Sequence, residues 1–429
     1  MNNLLKTLGP GILFASTAIG VSHLVQSTQA GANFGFTLLW AILLANIFKY
    51  PFFEFGSRYA NATGESIISG YRKLGKTPLF FYFIITVISM FLVTAAVGFV
   101  TSGFMQNLFG LQEILTTVAV VFAVCIIVLI SDNFKVLDVL IKIVGIILLI
   151  STLTAFFIVL AKSSKTDQSL FSFDGIDKVA YLGFLIPLMG WMPTAVDLSA
   201  WNSLWTVERI KQTGYHPKLK ETLFDFNFGY ILSALLAICF VTLGAFVMFR
   251  TPETLSDSPV GFSADVIRLY TSSFGDSAYI IIAISSFSIM FGTCIAVFDG
   301  YSRAMGAIVK ESRTLLKKEP FSEKKSKNIY RLILLIISMG SFLLIYFFLP
   351  TKEDPKAFKQ LVNIATSISF ALAPIVAIFN LKLMNAKYIG EGHQPPKWMK
   401  LLAYAGIIFL SIFSIFYIFQ DQIILYLTA

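Results

Sequence analysis

Eleven stretches of predominantly apolar residues, each long enough to cross a lipid bilayer as a helix, follow one another along this chain. A membrane-spanning helix needs roughly 20 such residues. Only 13% of the residues are charged and the mean hydropathy is +0.77, whereas soluble domains carry about 25% charged residues. The chain is therefore predicted to be an all-α integral membrane protein.

The distribution of positive charge predicts how these spans are oriented. Numbered from 1 to 11, the spans cover residues 10–32, 34–55, 79–104, 113–130, 136–161, 179–205, 226–249, 279–300, 330–349, 361–383 and 401–419. Of the Lys and Arg residues outside the spans or at their ends, 23 fall on the side of the N-terminus and 8 on the other side. Cytoplasmic loops carry such an excess. We therefore expect a multi-pass protein of the inner or plasma membrane, with its N-terminus in the cytoplasm, its C-terminus outside and no nucleic-acid partner.

Span 1 contains a polar interruption near its centre, formed by Gly20, Ser22, His23 and Gln26. Glycine and serine are weak helix formers, and histidine and glutamine are costly in hydrocarbon. We expect the helix to open here, so that freed backbone groups face a polar cavity.

Span 6 contains a second interruption, around Pro193. Proline lacks the amide hydrogen that would bond to the Met189 carbonyl, and its ring crowds the preceding turn. The helix is therefore expected to open between Gly190 and Thr194. Two discontinuous helices at corresponding places in two halves of a membrane protein indicate a transporter binding site.

The spans divide into two sets of five, spans 1–5 and 6–10, with one extra helix. Because each set has an odd number of spans, the two sets have inverted topology, as in transporters built from inverted repeats. The predicted divisions are residues 1–161, 162–383 and 384–429, the last containing span 11.

Several segments resemble the NRAMP (natural resistance-associated macrophage protein) divalent-metal transporters. They are Gly9-Pro10-Gly11-Ile12, Gln29-Ala30-Gly31-Ala32, Gly35-Phe36, Leu38-Leu39-Trp40, Thr63-Gly64-Glu65 after Arg58, Met192-Pro193, and Phe370-Ala371-Leu372-Ala373-Pro374. The resemblance is good over residues 9–75 and 185–200. It implies the LeuT-type fold, in which two inverted five-helix repeats hold the ligand between broken spans 1 and 6. It also implies secondary active transport of a divalent metal cation by alternating access.

The chain departs from that family at the metal ligands. The family's span-1 break reads Asp-Pro-Gly-Asn, and alignment on residues 29–32 places Gly20 at the aspartate and His23 at the asparagine. In span 6 Met192 is kept, while Thr194 replaces a histidine. Predicted span 3 also lacks the family's acidic residues, which serve proton movement. A softer ion that accepts imidazole and thioether ligands could still bind His23 and Met192.

Other functions remain open from these residues. Half-helix ends with exposed amides and no facing carboxylate would suit an anion or an organic solute on the same fold. A non-transporting sensor or scaffold is a further alternative. No phosphate loop, zinc-finger spacing or nucleophile elbow is present, so neither an enzyme nor a cofactor is predicted. The predicted substrate-binding residues are Gly20, Ser22, His23, Gln26, Met189, Met192, Thr194 and Asp197, with His23 also a candidate for a coupled proton.

Charged residues near the spans suggest pairs that anchor or gate the helices. Glu54 with Arg58 and Asp299 with Arg303 are each four residues apart, the spacing of helical ion pairs. Asp138 and Lys142 form a third such pair, and Lys142 is also a candidate partner for Asp197. We expect Lys49, in predicted span 2, to extend toward the membrane boundary.

Overall fold

Helices make up most of the part of the chain that the structure describes, and no β-strand occurs there. The computed structural model describes residues 6–130, 134–162, 170–251, 255–256, 258–275, 279–319, 321–348, 357–420 and 422. Six described helices are long and apolar enough to cross a membrane. They are Lys76–Phe109, Leu219–Val247, Ile282–Leu315, Glu323–Phe347, Lys359–Leu383 and Lys397–Ile418. Three shorter apolar helices accompany them. The number of eleven spans stays a prediction, and the span numbers are kept as names.

Spans 1 to 5 occupy the first part of the fold. Span 1 has three segments, helix 1a (Pro10–Ala18), a π-helix (Gly20–Ser27) and helix 1b (Thr28–Phe34). Spans 2 to 5 are the helices Leu39–Thr63, Lys76–Phe109, Ile114–Ile130 and Phe134–Lys162. A short helix, Ile67–Leu74, joins spans 2 and 3.

Span 6 is divided in the same way. Helix 6a (Lys178–Gly190) is separated from helix 6b (Ser199–Thr213) by five non-helical residues and the 3₁₀ turn Val196–Leu198. Spans 7 to 11 are the helices Leu219–Val247, Tyr279–Leu315, Glu323–Phe347, Ala357–Leu383 and Lys397–Ile418. The short helices Pro259–Phe274 and Ala386–Ile389 were not predicted, because windows of about 20 apolar residues do not detect them.

Each interrupted span packs against a helix of the other half. Helix 1b lies on span 7 and helix 6b lies on span 2. The contact with span 7 depends on small residues: a Cβ on Gly31 would collide with the Val241 backbone, and one on Gly244 with the Thr28 backbone. Small residues at such positions let membrane helices approach closely. This exchange of partners is the arrangement expected of two repeats, and the predicted domain boundaries stay a prediction.

Apolar side chains cover both the interior and the outer surface. Phe14 of helix 1a stacks on Tyr230 of span 7 with ring centroids 5.6 Å apart, and it also contacts Phe53 of span 2. On the outside, Met339 of span 9 and Leu401 of span 11 are 68% and 71% exposed. Large exposed apolar faces suit a protein whose surroundings are lipid. The interior contacts fix helix 1a beside the two interruptions.

Candidate functional site

The first interruption is a change of helix type. Instead of unwinding as expected, span 1 turns at Ile19 and continues as the π-helix Gly20–Ser27. The Ser22 hydroxyl lies within hydrogen-bonding distance of the Ala18 carbonyl, and the Ser27 hydroxyl donates to the Ser22 carbonyl at 3.2 Å. π-helical turns are rare and occur frequently at functional sites. The position of the irregular segment was predicted correctly, but its form was not. The π-helical winding and the serine hydroxyl groups provide partners for backbone groups that unwinding would leave without them.

Gly20 lies where the family resemblance places an aspartate, and the space beside it is occupied. Thr293 of span 8 packs against Gly20 so closely that a Cβ there would collide with the threonine side chain. The Thr293 hydroxyl also donates to the Ser16 carbonyl at 2.8 Å. An acidic side chain at position 20 therefore has no room in this arrangement.

His23 is fully buried and faces span 7. Its Nε2 lies 2.9 Å from the Ser233 carbonyl oxygen and 3.1 Å from the Ser233 hydroxyl. Since a carbonyl can only accept, we assign the proton of the neutral ring to Nε2. Nδ1 is then an acceptor and lies 2.6 Å from the Ser22 hydroxyl oxygen, whose one hydrogen is shared among Nδ1 and the carbonyl groups of Ala18 and Pro193. Both ring nitrogens have partners, so a metal ion could bind His23 only by displacing one of them.

The second interruption lies where Pro193 predicts it. Helix 6a ends at Gly190, residues 191–195 are non-helical, and the Met192–Pro193 peptide bond is cis. The Pro193 carbonyl oxygen lies within hydrogen-bonding distance of the Ser22 hydroxyl oxygen, at 3.1 Å. The two interruptions therefore contact each other directly.

A small cavity separates the remaining parts of the two interruptions. Its volume is about 20 Å³, room for about one water molecule. Its polar wall consists of Thr17, Ser22, Trp191, Thr194 and Thr293. Valines of spans 1, 3 and 8 form much of the remainder. Among the described residues that line it, none is a carboxylate, and no group of three or more His, Cys, Asp or Glu occurs in the described chain.

Four other predicted binding residues, Gln26, Met189, Met192 and Asp197, are buried but are not among the described residues that line this cavity. Gln26 is fully enclosed, and its side-chain amide has no hydrogen-bond partner among the described atoms. Met189 and Met192 are fully buried. Asp197, in the 3₁₀ turn, is 4% exposed, and its backbone carbonyl accepts from the Tyr82 hydroxyl at 3.2 Å. These assignments as binding residues stay predictions.

Lys49 is the residue of this site that sequence-based prediction missed. Its Nζ donates to the carbonyl oxygens of Met189 at 2.7 Å, Gly190 at 2.8 Å and Thr194 at 3.3 Å. The expectation that it extends to the membrane boundary was wrong, because the span 6 interruption supplies acceptors inside the protein. A charged residue within predicted span 2, whose neighbours are mostly apolar, was the only available signal.

Two of the three predicted charge pairs are in contact. The Arg58 Nε donates to Glu54 at 2.9 Å, and its Nη1 donates to the His393 carbonyl at 2.9 Å. The Arg303 Nε lies 2.8 Å from Asp299, which also accepts from the Trp205 indole and the Tyr330 hydroxyl. The side chains of Asp138 and Lys142 lie outside the described residues.

Comparison with known proteins agrees with this architecture. A family model described as Nramp, natural resistance-associated macrophage protein-like, matches residues 11–420. An uncharacterized protein of Pasteurella multocida is 35% identical, over 96% of this chain and 92% of its own length. The divalent metal cation transporter MntH of Listeria welshimeri is 21% identical, over 97% of this chain and 90% of its own length.

The solved structures show the fold independently. A manganese transporter mutant of Eremococcus coleocola superposes with a TM-score of 0.67 at 15% sequence identity, covering 96% of this chain and 85% of that one. The predicted LeuT-type fold is confirmed. The match across residues 11–420, together with the 35% identical relative, shows that this chain belongs to the Nramp family.

Proposed function

We propose that this protein is a secondary transporter that moves a divalent metal cation across the membrane by alternating access. Nramp is a family of membrane transporters, so the expectation that the chain is not an enzyme is confirmed. The relative from Listeria is named a divalent metal cation transporter, and the structure from Eremococcus is named a manganese transporter. This supports the same class of cargo here.

The observation that carries the proposal is the direct contact between the two interruptions, Ser22 Oγ to the Pro193 carbonyl oxygen at 3.1 Å. Irregular backbone at membrane depth is tolerated where it is buried in protein or lines a cavity. Transporters of this architecture bind cargo between two interrupted helices and move one bundle against the other. The contact between Ser22 and Pro193 joins the two interruptions themselves, and a contact of this kind can break and reform during such a motion.

The cavity offers a metal ion neutral oxygen ligands. Ser22, Thr17, Thr194 and Thr293 contribute hydroxyl groups near one another. Hard divalent ions usually bind carboxylates, and the positions of the family's Asp and Asn hold Gly20 and His23. We therefore expect weaker binding and lower discrimination between ions than a site with carboxylate ligands gives.

We further propose the predicted orientation and repeats, with the N-terminus cytoplasmic and the C-terminus outside. The charge distribution of the loops supports the orientation, and the exchanged packing of helices 1b and 6b supports inverted repeats. His23 is the proposed carrier of a coupled proton because it is buried between spans 1 and 7, with Nδ1 beside the Ser22 hydroxyl of its own span and Nε2 beside the Ser233 carbonyl of span 7.

Isothermal titration calorimetry of the detergent-solubilised protein with Mn²⁺, Fe²⁺, Ni²⁺, Mg²⁺ and Ca²⁺ tests the cargo. We expect saturable heat for at least one ion and weaker binding after Thr194→Ala, which removes a cavity hydroxyl. Thr154→Ala is the matched control, because Thr154 lies in span 5 outside this site. A folded wild-type protein that gives no heat with any ion would contradict metal binding.

A second candidate cargo is a small anionic or neutral solute. The specific observation in its favour is that no carboxylate occurs among the described residues lining the cavity, whereas hard divalent ions usually bind carboxylates. In the calorimetry, absence of heat for every metal together with an intact fold would favour this candidate.

A further inference from the structure

Lys49 lies inside the membrane-spanning part of the protein without access to solvent. It is near the middle of the helix Leu39–Thr63 and is 0% exposed. A lysine at such depth is costly unless its charge and hydrogen-bond donors are satisfied within the protein. Its environment therefore has to supply both.

The span 6 interruption supplies three carbonyl oxygens to the ammonium group. Met189 and Gly190 are the last residues of helix 6a, and the final carbonyls of a helix have no partner within it. The Met189 carbonyl also accepts from the Met192 amide, just beyond the helix, at 3.3 Å. Thr194 supplies the third carbonyl from the non-helical segment. An ammonium group has three donors, so the distances of 2.7, 2.8 and 3.3 Å account for all of them.

The electrostatic surroundings also favour a cation at this point. The C-terminal end of a helix carries a partial negative charge, and helix 6a ends at Gly190. Asp197 interacts electrostatically with Lys49, and the Lys49 Nζ lies 5.4 Å from the centre of the Phe370 ring. The aromatic face adds a favourable cation–π contact. Span 10 closes the site, because Gly190 packs directly on the Thr366 backbone.

We propose that the carbonyl groups of Met189, Gly190 and Thr194 form a monovalent-cation site, and that the Lys49 ammonium group is its built-in occupant. Carbonyl groups of an interrupted membrane helix are the ligands that bind a free coupling cation in transporters of this architecture. In this chain a tethered cation takes that position, so the closed site needs no sodium or potassium from solution. The inference does not depend on the identity of the cargo.

Removing the ammonium group while leaving space tests this occupancy. Lys49→Ala should melt at a lower temperature than the wild type in choline chloride, because three buried carbonyl groups lose the ammonium donor and the Met189 carbonyl keeps the Met192 amide as its partner. Potassium, sodium or methylammonium chloride at the same ionic strength should restore most of the lost melting temperature. Lys49→Met is the matched control, since its side chain fills the space without charge and should not be rescued.

Specific results in the two variants would contradict the proposed occupancy of the carbonyl groups by Lys49. An equal melting temperature of Lys49→Ala in all salts, or an equal rescue of Lys49→Met, would overturn the proposal. If Lys49→Ala does not yield folded protein in choline chloride, recovery of folded protein only with potassium, sodium or methylammonium would support the proposal. Failure to recover folded Lys49→Ala in every salt, while Lys49→Met folds normally, would overturn the proposal.

The wild-type protein provides an arm that does not depend on any variant. Because the ammonium group already occupies the carbonyl groups, its melting temperature should be the same in sodium, potassium and choline chloride at equal ionic strength. A stabilisation specific to sodium or potassium would overturn the proposal. These readouts measure stability, so they stay informative even if the proposed metal transport fails its own test.

Discussion

The Asp225 carboxylate of span 7 lies 2.7 Å from the backbone nitrogen of Gly11, at the beginning of helix 1a. It also accepts from the backbone nitrogen of Gly9 at 3.0 Å. The first amides of a helix have no partner within it, and a negative charge there is favourable. One side chain from the other half of the chain therefore fixes where span 1 begins.

Neutralising this carboxylate should destabilise the protein. Asp225→Asn keeps the size but loses the charge and one acceptor oxygen, so we expect a loss of about 2 kcal/mol in the free energy of unfolding. Chemical unfolding in detergent measures it. Asp174→Asn, at an exposed carboxylate, is the control and should change stability little; an equal loss in both variants would argue against a special role for Asp225.

Removing the Asp299 carboxylate should lower the stability of the protein more than removing an exposed carboxylate from an ion pair. Asp299→Ala removes the carboxylate that lies 2.8 Å from the Arg303 Nε, and it removes the acceptor for the Trp205 indole. Breaking a buried pair costs about 3–5 kcal/mol, whereas exposed pairs contribute about 1 kcal/mol or less. Glu323→Ala, which breaks the exposed pair with Lys327, is the comparison. Equal melting temperatures for the two variants would contradict this expectation.

The position of Gly20 predicts a rescue by a second mutation. Gly20→Ala places a Cβ against the Thr293 side chain, and overpacking of this kind costs about 1–3 kcal/mol. Thr293→Ala removes the methyl and hydroxyl groups, so the double variant should regain part of the lost stability. A double-mutant cycle in the melting temperature measures this coupling. Strict additivity of the two effects would show that Gly20 and Thr293 do not interact.

Replacing His23 should lower transport, because His23 contacts Ser22 of span 1 and Ser233 of span 7. His23→Ala disconnects Ser22 from Ser233, and we expect proteoliposome uptake to fall about tenfold, as for partners that orient a site. Its dependence on pH should also become flatter if His23 carries the coupled proton. His216→Ala is the control, because His216 binds the Asn61 carbonyl outside the site. Wild-type uptake and pH profile in His23→Ala would exclude both roles.

Different features of this protein were predictable from sequence to different degrees. Hydropathy and the low content of charged residues predict the helical membrane class, and the missing amide of Pro193 correctly predicts the span 6 interruption. The π-helix in span 1 was not predicted, because its winding depends on the local Ser22 and Ser27 hydrogen bonds and on packing against Thr293. A sequence pattern contains neither the distance nor the direction of such contacts.

Lys49 shows most clearly what could not be predicted from the sequence. Its partners lie 140 to 145 residues away, and they are backbone carbonyl groups, which every residue has. Nothing in the side chains of Met189, Gly190 or Thr194 marks them as acceptors for an ammonium group. Only the ending of helix 6a beside span 2 exposes them, and this depends on the tertiary fold.

Uptake of Mn²⁺ into proteoliposomes containing the purified protein tests the central claim most directly. We predict saturable uptake above that of protein-free liposomes, reduced by Thr194→Ala and unchanged by Thr154→Ala. Folded wild-type protein that moves neither Mn²⁺ nor any other divalent ion would contradict metal transport, and undiminished uptake in Thr194→Ala would contradict transport through the site between spans 1 and 6.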